Sequence, residues 1–202
     1  MSLSPRFEEA VVFAARLHRS QRRKGSRVPY LSHLLCVASI VIEHGGDEEQ
    51  AIAALLHDAV EDQGGPATAQ KIRHQFGDRV AEIVEACTDT DRMPKPPWRD
   101  RKEAFLARLP QIHSSALLVI AADKLCNTRS LLADYRQIGE DLWDRFNGGR
   151  EGTLWYYQSV AQALSKAIPS PVSADLLRAV ADLQHLTQSR FYPERDNPAV
   201  DR

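Results

Sequence analysis

The sequence predicts an all-α protein, a helical bundle of roughly eight to ten helices. Apolar residues recur at helical spacing almost everywhere, strand-type alternation is never sustained, and the helical runs are separated by capping residues, glycines and prolines. Phe7, Ala10, Val11, Ala14, Ala15 and His18 follow the i, i+3, i+4, i+7 pattern behind Ser4 as cap and Pro5 in the first turn. The loop RRKGSRVP ends that helix. A second is expected over 30–43, stopping at HGG. Asp47 caps a third over 48–61, which QGGP breaks. PATAQKIRHQF and DRVAEIVEACTD read as two short helices hinged at Gly77. TDRMPKPP is a loop stiffened by Pro96 and Pro97, and WRDRKEAFLARL is amphipathic. The longest helix is expected over 114–135. TLWYYQSVAQALSKA follows, IPSPVS interrupts at Pro169 and Pro171, ADLLRAVADLQHLTQ gives one more helix, and the tail YPERDNPAVDR is expected to be loose.

The 202 residues, 43% of them hydrophobic, suffice for one domain with a sizeable core. Residues 1–168 are expected to form it, with 169–202 as a C-terminal helical extension and loose tail. Basic and acidic residues balance at 26 and 27, so neither a duplex nucleic-acid partner nor a polybasic membrane anchor is expected. The N-terminus has no apolar signal region, and no run reaches the ~18 apolar residues of a membrane span. Cys36, Cys87 and Cys126 are odd in number, far apart and without a C-x-x-C pair, which argues against a zinc ribbon or a disulfide framework. A reducing cytoplasmic compartment fits, and an oligomer is compatible with the composition.

The stretch ALLHDAVEDQGG gathers His57, Asp58, Glu61 and Asp62 at the end of an apolar run. On a continuous helix His57 and Glu61 share a face, as do Asp58 and Asp62, while His57 and Asp58 lie about 100° apart and can reach one ion at the edge between them. A solvated helix end is the competing reading. Carboxylates at a helix C-terminus oppose the macrodipole, however, so three of them favour a nearby cation. Asp123 ends the run ALLVIAA, apolar on every side. A buried unpaired carboxylate costs several kcal/mol, which a metal ion would offset. Asn127, Ser130 and Asp134 continue its stripe at i+4, i+7 and i+11; a water-facing stripe explains Ser130 and Asp134 well and Asp123 poorly. His33 opens HLLCVASIVI and alone reads as a core or capping residue, gaining weight only as a partner of the others. His18, His44, His74, His113 and His185 have no such constellation. Arg19, Arg22, Arg23, Lys24 and Arg27 crowd a helix end, either as a solvated cap or as a clamp for phosphate or guanine.

PYLSHLLCVA, ALLHDAVED and AADKLCNTR occur in that order, preceded by HRSQRRKG. In these motifs the chain resembles the HD-domain metal phosphohydrolases, and among them the hydrolase domain of the RelA/SpoT alarmone enzymes and the small alarmone hydrolases. FGDRVAEIVEACTD, WRDRKEAFL and HSSALLVIAADKL extend the resemblance over roughly Phe7 to Lys166, most of the chain. It implies that His33, His57, Asp58 and Asp123 ligate one divalent metal ion, most plausibly Mn2+, which a sulfur-free N/O set suits. The ion would lower the pKa of water and neutralise phosphate charge. Glu61 and Asp62 would be the catalytic acid/base pair. Arg23, Lys24, Asn127, Ser130 and Tyr156 would bind the substrate, a small nucleotide. The implied reaction is hydrolysis of the 3′-pyrophosphate of (p)ppGpp to GDP or GTP and pyrophosphate. Ser130 departs mildly from the threonine usual in the long enzymes, and the chain from about Ile168 has no counterpart in the resemblance. Two other readings share the scaffold: a phosphatase acting on NADPH or a nucleoside monophosphate, and a non-catalytic nucleotide sensor. Intact Glu61 and Asp62 argue against the sensor.

Overall fold

Ser4 starts the first helix. Its Oγ accepts the Arg6 N–H at 3.2 Å and Pro5 occupies the first helical position, so α1 spans Pro5–Leu17. The chain, a computed structural model, is described over residues 2–90 and 94–189. The remaining α-helices are α2 (Leu31–Glu43), α3 (Glu48–Leu56), α4 (Ala59–Asp62), α5 (Gly65–Phe76), α6 (Asp78–Cys87), α7 (Trp98–Arg108), α8 (Ser114–Ile138), α9 (Gly149–Ala167) and α10 (Pro171–Ser189). Two 3-10 segments, Leu109–Gln111 and Gly139–Arg145, flank α8. No strand occurs among the described residues, so the all-α expectation holds. The expected loose tail, residues 192–202, lies outside the described residues.

The apolar run that begins α8 explains the architecture. Leu117, Val119, Ile120, Ala121, Ala122 and Leu125 are buried around the whole circumference, so the helix needs neighbours on every side. α2, α3, α6, α9 and α10 pack against it. Val172, Leu176 and Leu183 of α10 are fully buried in the same core cluster as Leu34, Leu55 and Ile120. Among the described residues no helix is long and apolar enough to cross a membrane.

One sequence expectation is corrected. The third helix does not run unbroken over 48–61: α3 ends at Leu56, and a one-turn α4 follows after His57 and Asp58. Asp58 has φ −95° and ψ −1°, away from helical values, and the next ladder bond runs from Asp62 N–H to Asp58 C=O at 3.0 Å. Adjacent side chains diverge on a regular helix; at the break they converge, with His57 Nε2 and Asp58 Oδ2 3.0 Å apart. Asp58 therefore stands at the start of α4 rather than near the end of α3, and the macrodipole argument no longer applies to it. The expected ends of two other helices also move. α8 continues to Ile138, where Gly139 at φ 61° stops it, and α9 begins at Gly149.

The basic segment is a tight hairpin rather than a helix cap. The Arg23 N–H donates to Val28 C=O at 2.9 Å and the Tyr30 N–H to Gln21 C=O at 3.0 Å, framing an isolated antiparallel bridge between Arg22 and Pro29. Its tip, Gly25, has φ +68° and lies so close to the Arg145 side chain that a Cβ would fall 2.4 Å from Arg145 Cδ.

Asp47 is the cap that the sequence predicts. It accepts the Gln50 N–H at 2.9 Å, and Gln50 Oε1 accepts the Asp47 N–H at 2.9 Å, closing a capping box. Partial burial opposes the charge, but Arg79 and the Gln50 N–H outweigh it and hold the Asp47 carboxyl below its usual pKa. Asp47→Ala should cost about 1 kcal/mol in urea unfolding at neutral pH. A carboxylate depressed in the fold stabilises above its unfolded pKa and loses that contribution as pH falls through the folded value. The difference between wild type and variant should accordingly shrink below about pH 4.

Candidate metal centre

Three segments of the chain, α2, the α3–α4 junction and α8, aim four side chains at one buried place. His33, on the first turns of α2, is 3% exposed; His57, at the break after α3, is 3% exposed; Asp123, in the middle of α8, is 7% exposed. Asp58 joins them from the start of α4. His33 Nε2 lies 3.2 Å from Asp123 Oδ1 and 3.6 Å from Asp58 Oδ2. His57 Nε2 lies 3.0 Å from Asp58 Oδ2 and 3.6 Å from Asp123 Oδ1. Donor atoms of His33, His57 and Asp58 all fall within 4.8 Å of one another.

The outer nitrogens of the imidazoles are committed elsewhere. His57 Nδ1 lies 2.8 Å from Ala54 C=O, so that nitrogen carries a proton, and when His57 acts as a ligand its Nε2 presents the lone pair. His33 Nδ1 lies 3.3 Å from Cys126 Sγ and takes the same tautomer when Nε2 acts as a ligand. His57 Nε2 is buried and makes no hydrogen bond of acceptable geometry despite the nearby carboxylates. Two imidazole lone pairs facing two carboxylates, one of them on an orphaned buried nitrogen, fit a divalent metal ion.

The electrostatics describe a place built for positive charge. Burial opposes ionisation of Asp123, but Lys124 and the two imidazoles hold its pKa well below the usual carboxylate range. Burial likewise opposes Asp58, which His57 and His33 hold well below that range. Burial disfavours the His57 imidazolium, yet Asp58 and Asp123 outweigh it and raise His57 well above its usual value. Lys124, also raised by Asp123 against its burial, puts Nζ 2.7 Å from Asp123 Oδ2.

Glu61 and Asp62 lie one turn beyond Asp58, on the rim of a cavity of about 200 Å³ whose lining includes Tyr30, Asp58, Asp123, Lys124 and Asn127. Glu61 accepts Lys95 Nζ at 2.9 Å and the Asp89 N–H at 3.3 Å. Asp62 accepts Gln21 Nε2 at 2.8 Å; partial desolvation of its carboxyl, then the Asp58 charge, raises its pKa. Arg23 Nη2 donates to Asn127 Oδ1 at 2.8 Å, and Asn127 Nδ2 donates to Asp123 Oδ1 at 2.5 Å. The basic hairpin is thus joined to a candidate ligand through one amide. Lys24, Ser130 and Tyr156 do not line the cavity. Lys24 Nζ sits over the Phe146 ring at 5.6 Å, Ser130 Oγ donates to Cys126 C=O at 3.1 Å, and Tyr156 is buried beneath the ammonium groups of Lys102 and Lys124 at 4.9 and 5.8 Å. A second cavity of about 700 Å³ shares Asp89 and Phe105 with the first.

Sequence reasoning missed several neighbours. Tyr30 OH donates to Asp58 Oδ2 at 2.5 Å, and its ring stacks on His18. The signal was available, because Tyr30 precedes His33 by three residues and shares its face. Lys124 stands beside Asp123 in the AADK motif and had been assigned no role. Asp89, which accepts from Arg101 and, at 2.8 Å, from Lys102, had no local signal. Cys36 and Cys126 are far apart in sequence, yet Cys126, against burial, lowers the Cys36 thiol to about 6, and Cys36, with burial, pushes Cys126 up.

The fold and this site define a class: the chain belongs to the HD-domain family, whose model matches residues 10–154. Over 126 residues it is 43% identical to the guanosine-3′,5′-bis(diphosphate) 3′-pyrophosphohydrolase MESH1 of Xenopus tropicalis, covering 61% of this chain and 68% of that one. It is 36% identical over 134 residues to the bifunctional (p)ppGpp synthase/hydrolase SpoT of Escherichia coli K12, covering 62% of this chain and 18% of that one. A solved structure of a metazoan SpoT ortholog, described as hydrolysing ppGpp, superposes with a TM-score of 0.70 at 26% identity, covering 92% of this chain and 97% of that one.

Asp123→Ala should abolish stoichiometric uptake of a divalent metal, measured by elemental analysis of protein purified without chelator. Full metal content in that variant would remove Asp123 from the ligand set.

Proposed function

We propose that this chain hydrolyses the 3′-pyrophosphate of (p)ppGpp, releasing pyrophosphate and GDP or GTP, with one divalent metal ion held by His33, His57, Asp58 and Asp123. The observation that carries the reading is the convergence of these four donors, tied through Asn127 to the guanidinium of a basic hairpin. Relatives named as 3′-pyrophosphohydrolases of this nucleotide, MESH1 among them, support the substrate. The N/O donor set and the family resemblance favour manganese, and the cytoplasm suits a small nucleotide substrate. Bound there, the ion supplies Lewis acidity, making water a better nucleophile and neutralising phosphate charge.

The chain's own groups do the rest. Breaking the bond between phosphorus and the ribose 3′-oxygen requires the attacking water to lose a proton and the leaving oxygen to gain one. Asp62, whose pKa is raised, is the better proton carrier. Glu61, fixed by Lys95 and the Asp89 N–H, orients the attacking water. Arg23 lies with Cζ 5.9 Å from the centre of the Tyr30 ring and offers a planar cation to a guanine or a phosphate. Lys24, next to Arg23 in the hairpin, adds a second cation for the nucleotide end; Ser130, bonded to Cys126 C=O, and Tyr156, packed under Lys124, act on the substrate only indirectly.

Glu61→Gln and Asp62→Asn should each keep the metal and lose about 10²–10⁴-fold in turnover. Manganese-loaded protein given ppGpp should release pyrophosphate and GDP. Orthophosphate from NADPH or a nucleoside monophosphate, with ppGpp untouched, would support the phosphatase reading instead. Binding of ppGpp by metal-loaded protein without turnover of any of these would leave a sensor.

Arg23→Lys should raise KM for ppGpp more than it lowers kcat, because it removes binding shared by ground and transition states. Hydrolysis of a small generic phosphoester, too short to reach the hairpin, should scarcely change. Equal losses on both substrates would show that Arg23 acts on the metal centre through Asn127.

A further inference from the structure

The segment HRSQRRKG places His18 and Gln21 just ahead of the basic hairpin, and the metal centre uses neither. His18 is 2% exposed, with its ring stacked on Tyr30. Its Nδ1 lies 2.6 Å from Gln21 Oε1, and Gln63 Nε2 donates to the same oxygen at 2.6 Å. Gln21 Nε2 in turn donates to Asp62 Oδ2 at 2.8 Å. An amide oxygen only accepts and an amide nitrogen only donates. An ionised Asp62 therefore fixes the orientation of the Gln21 amide, which in turn puts the imidazole proton of His18 on Nδ1. The Gln21 backbone is tied as well: its N–H donates to His18 C=O at 3.0 Å, and its C=O accepts the Tyr30 N–H at 3.0 Å. Asp62 is exposed, so water competes for its oxygens. Gln21 differs from water in being fixed before the carboxylate meets it, by a buried imidazole, a second amide and two backbone bonds.

We infer that Gln21 is a positioning residue for the reaction: its amide, held by His18 and Gln63, keeps the Asp62 carboxyl in one orientation for proton transfer. The oxygen that the amide engages, Oδ2, is occupied as an acceptor, which leaves Oδ1 as the atom that gives and takes the proton. Gln21 touches neither the candidate ligands nor the proposed nucleotide end, so it acts through Asp62 alone. It stands two residues before Arg23, at the foot of the same hairpin. One short segment thus serves two ends of the substrate: Arg23 meets the nucleotide, and Gln21 sets the proton carrier beside the bond that breaks. The two neighbours should carry opposite kinetic signatures, Arg23 in KM and Gln21 in kcat. A Gln21 that merely closed the base of the hairpin would instead act through Arg23 and move KM.

The inference rests on the proposed hydrolysis, in which Asp62 carries the proton. Gln21→Glu keeps the side-chain length and the acceptor for His18 and Gln63, but replaces the donor facing Asp62 by an oxygen. In the full-length chain loaded with manganese, kcat for ppGpp should fall about 10–100-fold, less than the 10²–10⁴-fold expected when a general acid or base is removed outright. KM and manganese content should stay at parental values. Asp62→Ala removes the carboxyl, and adding Gln21→Glu to it should cost nothing further, because residues that act through one another are not additive. Gln63→Ala, which withdraws one of the two donors and leaves the hairpin sequence intact, should give a smaller loss in kcat that likewise vanishes in the Asp62→Ala background. An unchanged kcat in Gln21→Glu, a raised KM with kcat kept, or an equal loss with and without Asp62 overturns the role of Gln21 while the hydrolysis stands. A parent that releases no pyrophosphate from ppGpp overturns the hydrolysis, and the role of Gln21 in it falls with it.

Discussion

The rest of the structure is arranged around one carboxylate. Asp123 sits on a helix whose preceding residues are buried on all sides, where an isolated charge would cost several kcal/mol. Each neighbouring element supplies something that offsets the cost: α2 brings His33, the α3–α4 junction brings His57, and α8 itself brings Lys124 and Asn127. With Asp58 at the junction, the carboxylates and imidazoles present both signs of charge within a few ångströms. Such a cluster is stable only when a cation completes it or when protons move between its members. The depressed carboxyls and the raised His57 describe the second situation, and a divalent ion would replace the shared proton.

The break between α3 and α4 is the local feature on which this geometry turns. On a regular helix His57 and Asp58 would lie about 100° apart and meet an ion only at the edge between them; the break turns them toward each other. By ending α3 at Leu56, the chain lets both reach the centre and starts a short turn that carries Glu61 and Asp62 outward to the cavity. On the proposed reading, ligation and proton transfer are thereby separated by a single helical turn. Glu61 is anchored to a lysine and a backbone N–H, whereas Asp62 holds only a glutamine amide and feels Asp58. Two neighbouring carboxyls consequently sit in different surroundings, and burial with the Asp58 charge raises the pKa of Asp62.

How much of this the sequence revealed depended on the range of the signal. Helix periodicity, the Ser4 and Asp47 caps and the glycine and proline breaks are local, and the helices stand where those signals put them. Asp123 was legible because a charge inside ALLVIAA violates its surroundings, and His57 with Asp58 because they cluster. The interruption at residues 57 and 58 was not legible, since no glycine or proline marks it. Tyr30 beside Asp58, Lys102 beside Asp89 and Cys126 beside His33 depend on segments meeting from distant parts of the chain, which periodicity does not report. The 3-10 segment before α9 was missed for the same reason: it follows the surface of α8 rather than an apolar repeat of its own.

The hairpin at residues 22–29 shows how specificity could vary while the metal centre stays fixed. It is anchored at three points: the Arg22–Pro29 bridge, the close seat of Gly25 on Arg145, and the Arg23–Asn127 bond. Arg145 is itself held by Asp134 at 3.0 Å, eleven residues beyond Asp123 on the same helix. Both the ligand and the support of the hairpin therefore lie on α8, and the distance between them is set by a rigid element rather than by a loop. On the proposed reading, changes at the hairpin tip alter what is recognised, whereas changes at Asn127 touch recognition and ligation together. Asn127 has one amide to give, and each of its polar ends already has a partner, so hairpin and cluster are joined through a single side chain.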